Sequence, residues 1–125
     1  IAISAQYLFL NFASAQVSDL PLWNDSVARK EIVQLIHKIE DQSSPAYIPP
    51  QGRVAVFDID GTLVDYWSQD AIEPTVDLYK TVQKLGFHTV ILTARLKDMK
   101  SETIKKLNQI IKLLMYNHHI VVKQI

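Results

Sequence analysis

Asp58-Ile59-Asp60-Gly61-Thr62 sets two carboxylates two residues apart, directly after the apolar run Arg53-Val-Ala-Val-Phe57. Carboxylates this close repel one another unless a hard cation lies between them or one keeps a proton. Mg²⁺ suits such oxygen ligands and usually retains several waters and a substrate phosphate. Gly61 lets the backbone turn tightly and approach a ligand. A second group, Thr93-Ala94-Arg95, closes another apolar run, Phe87-His-Thr-Val-Ile-Leu92. Arg95 suits either a phosphate contact or a loop cap. Asp-x-Asp-Gly also opens calcium loops, but those require Glu at the twelfth position, where Gln69 stands. His118 and His119 are adjacent, so on a strand they point to opposite sides and do not form a metal pair.

Both groups need strand ends to carry them. Ala28, Ile32, Leu35, Ile36 and Ile39 recur at helical spacing behind Asn24-Asp25-Ser26, predicting a capped helix over 26–40. Asn24-Asp25-Ser26 also fits a glycosylation acceptor, and serves better as the cap. The Pro- and Ser-rich stretch 41–50 reads as a loop. Residues 53–57 and 87–92 read as buried strands, and 64–72 as irregular chain. Between them Pro74 opens a helix with Leu78, Val82 and Leu85 on one face, and Gly86 ends it. A third helix is predicted over 99–115, with Ile104, Leu107, Ile111 and Leu114 on one stripe, and a third strand over 119–123. Alternating strands and helices predict an α/β, Rossmann-like parallel sheet of three strands with three helices. Ligands of such sheets bind beyond the carboxyl ends of the strands, where both groups lie.

Composition fits one domain. The 125 residues (14.3 kDa) are 48% hydrophobic and 21% charged, with 3 Gly and 5 Pro, which excludes disordered, collagen-like and repeat architectures. With no cysteine there is no disulfide framework, Cys-based zinc site or thiol nucleophile. The zero net charge hides an asymmetry: residues 1–94 hold 6 basic and 11 acidic side chains (net −5), residues 95–125 hold 7 and 2 (net +5). The basic residues fall at helical spacing, as on a solvated helix face, which argues against nucleic acid as partner. Ile1 to Phe12 is apolar and uncharged and precedes Ala13-Ser14-Ala15, the layout of a secretory leader cleaved before Gln16. Residues 1–15 are accordingly expected to be a leader remnant, 16–52 an N-terminal helix and loop, and 53–125 the core. A leader implies a secreted or periplasmic protein with no membrane span after cleavage.

Val54-Ala-Val-Phe-Asp58-Ile-Asp60-Gly-Thr-Leu63 resembles the first motif of the haloacid dehalogenase superfamily of phosphotransferases, and Val90-Ile-Leu-Thr93-Ala-Arg95 resembles its second. Ala71-Ile-Glu-Pro-Thr-Val-Asp-Leu-Tyr79 and Leu85-Gly-Phe87 are similar to the secreted acid phosphatases of subfamily IIIB. Leu20-Pro-Leu-Trp-Asn-Asp-Ser26 is similar to leaders of secreted members, so the resemblance spans about residues 20–123. It implies an Mg²⁺-dependent phosphomonoester hydrolase. Asp58 would be the nucleophile, Asp60 the general acid and then base, and the Asp58 carboxylate with the Asp60 carbonyl the metal ligands. Thr93, with the N–H groups of Ala94 and Arg95, would hold the phosphate. Tyr66 and Trp67 would stand at the substrate entrance. The interval Leu63 to Pro74 is too short for an inserted cap domain, so an open site is expected, in a monomer or a homo-oligomer.

The sequence departs from that pattern towards its C-terminal end. Lys123 precedes the place of the third-motif lysine, while Lys105, Lys106 and Lys112 sit on a helix face. No Asp or Glu follows Glu102 to serve as the fourth, acidic motif, and Ile110–Met115 replaces a Gly-containing turn, so a core continuing past residue 125 is expected. Besides the small-molecule phosphatase, two alternatives stand: a non-catalytic phosphate- or protein-binding module or fragment, and a phosphatase of polynucleotide ends.

Overall fold

The computed structural model describes residues 20–111 and the backbone of 121–124. The expected leader at 1–15, Lys112, Leu114 and the pair His118 and His119 lie outside the described residues.

Helix α1 (Val27–Glu40) starts where Ser26 Oγ accepts the Arg29 N–H at 3.2 Å, and ends with Lys38 in its last turn, where a cation suits the helix dipole. It buries Ile36, flanked by Ile32, Val33 and Ile39. Leu35, expected on that stripe, is 55% exposed. It lies about 100° round the helix from Ile36, beyond the narrow edge by which α1 docks. Leu20 is buried, and the Trp23 indole donates to the Pro74 carbonyl at 2.6 Å, tying the segment before α1 to the start of α2 (Glu73–Lys84).

Strands β1 (Val54–Phe57), β2 (His88–Thr93) and β3 (Val121–Gln124) form one parallel sheet in the order β1-β2-β3, with Val54 paired to His88 and Val90 to Val121. The α/β parallel class, the three strands and the three helices agree with the sequence reading. Pro74 stands in the first turn of α2, and Gly86, at φ +80°, follows its end. A short turn of 3₁₀ helix, Lys97–Met99, leads into α3 (Lys100–Ile111).

Both crossovers step the same way along the sheet, and right-handed crossovers then place α2 and α3 on the same face. That face holds the core: Phe57 and Ile91 from the strands, Val76, Tyr79 and Val82 from α2, Leu107 and Ile111 from α3, Ile36 from α1. Phe57 and Tyr79 meet edge to face, centroids 5.1 Å apart. Thr103, Leu107 and Ile111 make the buried stripe of α3 at four-residue spacing. On the opposite face of β1, Val54 and Val56 are 56% and 58% exposed. The run read as a buried strand is therefore buried on one side only, because every helix of the described residues packs on the other.

Arg53, read as a strand-end residue, is a buried tie. Its Nε donates to the Ile48 carbonyl at 2.8 Å and its Nη1 to the Leu85 carbonyl at 3.4 Å; Glu40 lies 3.7 Å away and the guanidinium stacks over Phe87.

Candidate active site

Beyond β1 the chain wraps round one carbonyl. The N–H groups of Thr62, Leu63 and Val64 donate to the Ile59 carbonyl, and Gly61 N–H donates to the Val64 carbonyl at 2.8 Å. Ile59, Leu63 and Val64 are almost wholly buried, so apolar anchors hold the loop while its polar residues turn outward. Gly61 takes φ +78°, the left-handed region that a residue with a Cβ avoids. Asp58 ends exposed, its Oδ1 accepting its neighbour Ile59 N–H at 2.7 Å.

Asp60 is half-buried and engaged. Arg95 Nε donates to its Oδ2 at 2.8 Å and Arg95 Nη2 donates to its Oδ1, a fork on a carboxylate. The same Nη2 donates to Gln69 Oε1 at 2.9 Å, and Nη1 reaches Thr103 Oγ1 at 3.4 Å. The Arg95 hydrogen bonds hold the Asp60 carboxyl below the usual carboxylate range, and Asp60 in turn raises the guanidinium. Gln69 is presented by a tight loop in which Asp65 Oδ1 accepts the Trp67 and Ser68 N–H groups and Asp65 N–H donates to the Asp70 carbonyl. Gln69 itself sits at φ +60°.

At the end of β2, Thr93 is 2% exposed and its Oγ1 accepts the Arg95 N–H at 3.1 Å, which leaves its own O–H to donate. Ala94 is exposed beside it. Because Phe57 pairs with Ile91, Asp58 and Thr93 leave neighbouring parallel strands at the same edge of the sheet.

A groove of about 720 Å³ runs from Asp60 and Arg95 between Tyr66 and Trp67 on one wall and the α3 residues Thr103, Lys105 and Lys106 on the other. Tyr66 and Trp67 are 62% and 88% exposed and pack edge to face against each other. Asp58, Thr93 and Ala94 do not line the groove. The structure thus joins Asp60, Arg95, Tyr66 and Trp67 in one depression and leaves the other site residues at its margin. Lys105 and Lys106, read as a solvated face, form part of its wall. In the sequence Gln69 serves only to rule out a calcium loop and Thr103 carries no signal, since an isolated amide and a helix threonine have no telling spacing.

Among the described residues no three His, Asp or Glu side chains converge as a metal site. The donor chemistry still fits a hard cation: the exposed Asp58 carboxylate and the carbonyls of the loop after β1 offer oxygen only. Magnesium is commonly held by one or two carboxylates, with waters and substrate phosphate completing its shell.

Comparison with known proteins adds one finding. No curated protein sequence matches the chain, and no solved structure does. Residues 55–124 match the family model of haloacid dehalogenase-like hydrolases. That match takes in both strand-end groups, the helix between them and more than half of the sequence, and on it the chain belongs to the haloacid dehalogenase-like hydrolases.

Proposed function

We propose that this hydrolase cleaves phosphomonoesters through an aspartyl-phosphate on Asp58. The observation that carries the reading is Asp58, exposed at the end of β1, beside Thr93 at the end of the adjacent parallel strand. Asp58 attacks phosphorus, the ester oxygen leaves, and water later cleaves the acyl phosphate to return the carboxylate and inorganic phosphate. Thr93 and the N–H groups that follow it orient the non-bridging oxygens. Asp60, once released from Arg95 and protonated by solvent, gives that proton to the leaving oxygen and later takes one from water. Mg²⁺, held by the Asp58 carboxylate and the Asp60 carbonyl, would supply charge neutralisation for the transferring phosphoryl group.

The exposed groove mouth suits an open site in a secreted acid-phosphatase-like protein. A second reading, hydrolysis at polynucleotide ends, draws on Lys105 and Lys106 in the groove wall with Tyr66 and Trp67 opposite; steep weakening of oligonucleotide binding with salt would favour it. The primary test is turnover of a generic phosphomonoester with magnesium and then with chelator. Turnover sensitive to chelator and abolished in Asp58→Asn is expected; turnover persisting in Asp58→Asn removes the nucleophile assignment.

A further inference from the structure

The guanidinium that grips Asp60 occupies the carboxylate that hydrolysis needs at the leaving oxygen. We propose that Arg95 is a substrate-displaced latch, held on Asp60 by Gln69 in the resting protein and transferred to the phosphoryl group of an arriving phosphomonoester. The inference rests on the proposed phosphate site and adds to it a positioning role for Gln69 and a change of partner for Arg95.

Three observations carry it. Arg95 spends both fork nitrogens on Asp60, so a bound phosphate and Asp60 compete for the same donors. Phosphate matches that fork as well as a carboxylate does and carries more charge. Arg95 is also tethered close to the proposed phosphate site, since its backbone N–H donates to Thr93 Oγ1 at 3.1 Å, so its long side chain can change partner without the backbone leaving that site. The resting contact is built rather than incidental. Gln69 is held at φ +60°, where a residue with a Cβ is strained, and the turn capped by Asp65 points its amide oxygen at Arg95 Nη2. Thr103 on α3 receives the remaining arm. Once Arg95 moves, Asp60 loses the fork that occupies both its oxygens and faces the groove it lines, free to serve a leaving group there.

A latch lowers apparent affinity by the fraction of time it is closed. Weakening it without altering charge must therefore tighten phosphate binding. Gln69→Gly removes the amide and relieves the backbone at φ +60°; Gln69→Asn keeps a residue that tolerates this region but shortens the arm. Inorganic phosphate titrated calorimetrically into the intact chain with magnesium is expected to bind at least about threefold tighter to both variants than to wild type. Arg95→Ala is expected to bind at least about tenfold more weakly than wild type. In wild type the Arg95 Nε–H resonance should shift when phosphate is added, a signal that a purely structural arginine would not give. Unchanged or weaker binding in both Gln69 variants, full binding in Arg95→Ala, or an unmoved Nε–H resonance at saturation would each overturn the latch. Phosphomonoester turnover separates the two readings. Turnover with unaltered Gln69 variants sinks the latch alone, whereas the expected binding shifts in a folded protein without turnover sink the hydrolytic reading alone.

Discussion

Asp60 shows how far one contact can set the behaviour of a side chain. By spacing it is half of a carboxylate pair; in the fold it is the anion of a forked ion pair with Arg95. Its depressed pKa makes folding depend on pH in a definite direction. A carboxyl lowered in the folded state stabilises fully above its unfolded value, roughly 3.9, and that stabilisation is lost as pH falls through the lower folded value. Urea unfolding of wild type and Asp60→Asn should therefore differ at neutral pH, with wild type the more stable. The difference should narrow as the pH falls below the unfolded value and vanish only once the folded carboxyl is protonated too. A gap that survives in acid would mean that packing, not charge, makes the contact.

The elements meet the site through a few backbone and polar ties. Gly61 turns the loop after β1 at φ +78°, and a Cβ there would touch nothing within 4 Å. Gly61→Ala should thus cost only the left-handed backbone, about 1–2 kcal/mol by chemical denaturation. A loss well above that would reveal a close approach absent from the resting loop. Arg53 joins the ends of α1 and α2 to the start of β1 through Ile48, Leu85 and Glu40. Arg53→Leu leaves two carbonyls without that donor and Glu40 without its cation, and should destabilise by about 2–4 kcal/mol. Its effect on turnover should follow the folded fraction alone, because Arg53 lies at the opposite ends of the strands from Asp58 and Thr93.

At the scale of the molecule, the sheet has a packed face and, among the described residues, an open one. Leu107 is fully buried on the packed face, and Leu107→Ala should cost about 2–5 kcal/mol. Val56, 58% exposed on the other, should accept Thr within about 0.5 kcal/mol. Denaturant midpoints of the two variants, compared side by side, test the one-sided packing directly: comparable losses would mean that the second face is covered in solution.

Much of this was legible in the residues. Hydrophobic period, Ser26, Pro74 and Gly86 determined where helices and strands run to within a few residues, because caps, breakers and spacing act over one or two turns of chain. The two strand-end groups were legible for the same reason: Asp58, Asp60 and Thr93 follow apolar runs directly. Local chemistry carries no record of what lies across the sheet. That Val54 and Val56 face outward follows from both crossovers stepping the same way, a property of topology rather than of either strand. That Arg95 grips Asp60, 35 residues earlier, with Gln69 and Thr103 completing the set, follows from how β2, the 65–70 loop and α3 converge. Side chains so distant along the chain become partners only once the core has fixed the elements between them, so the sequence determined the chemistry on offer and the tertiary structure decided which groups meet.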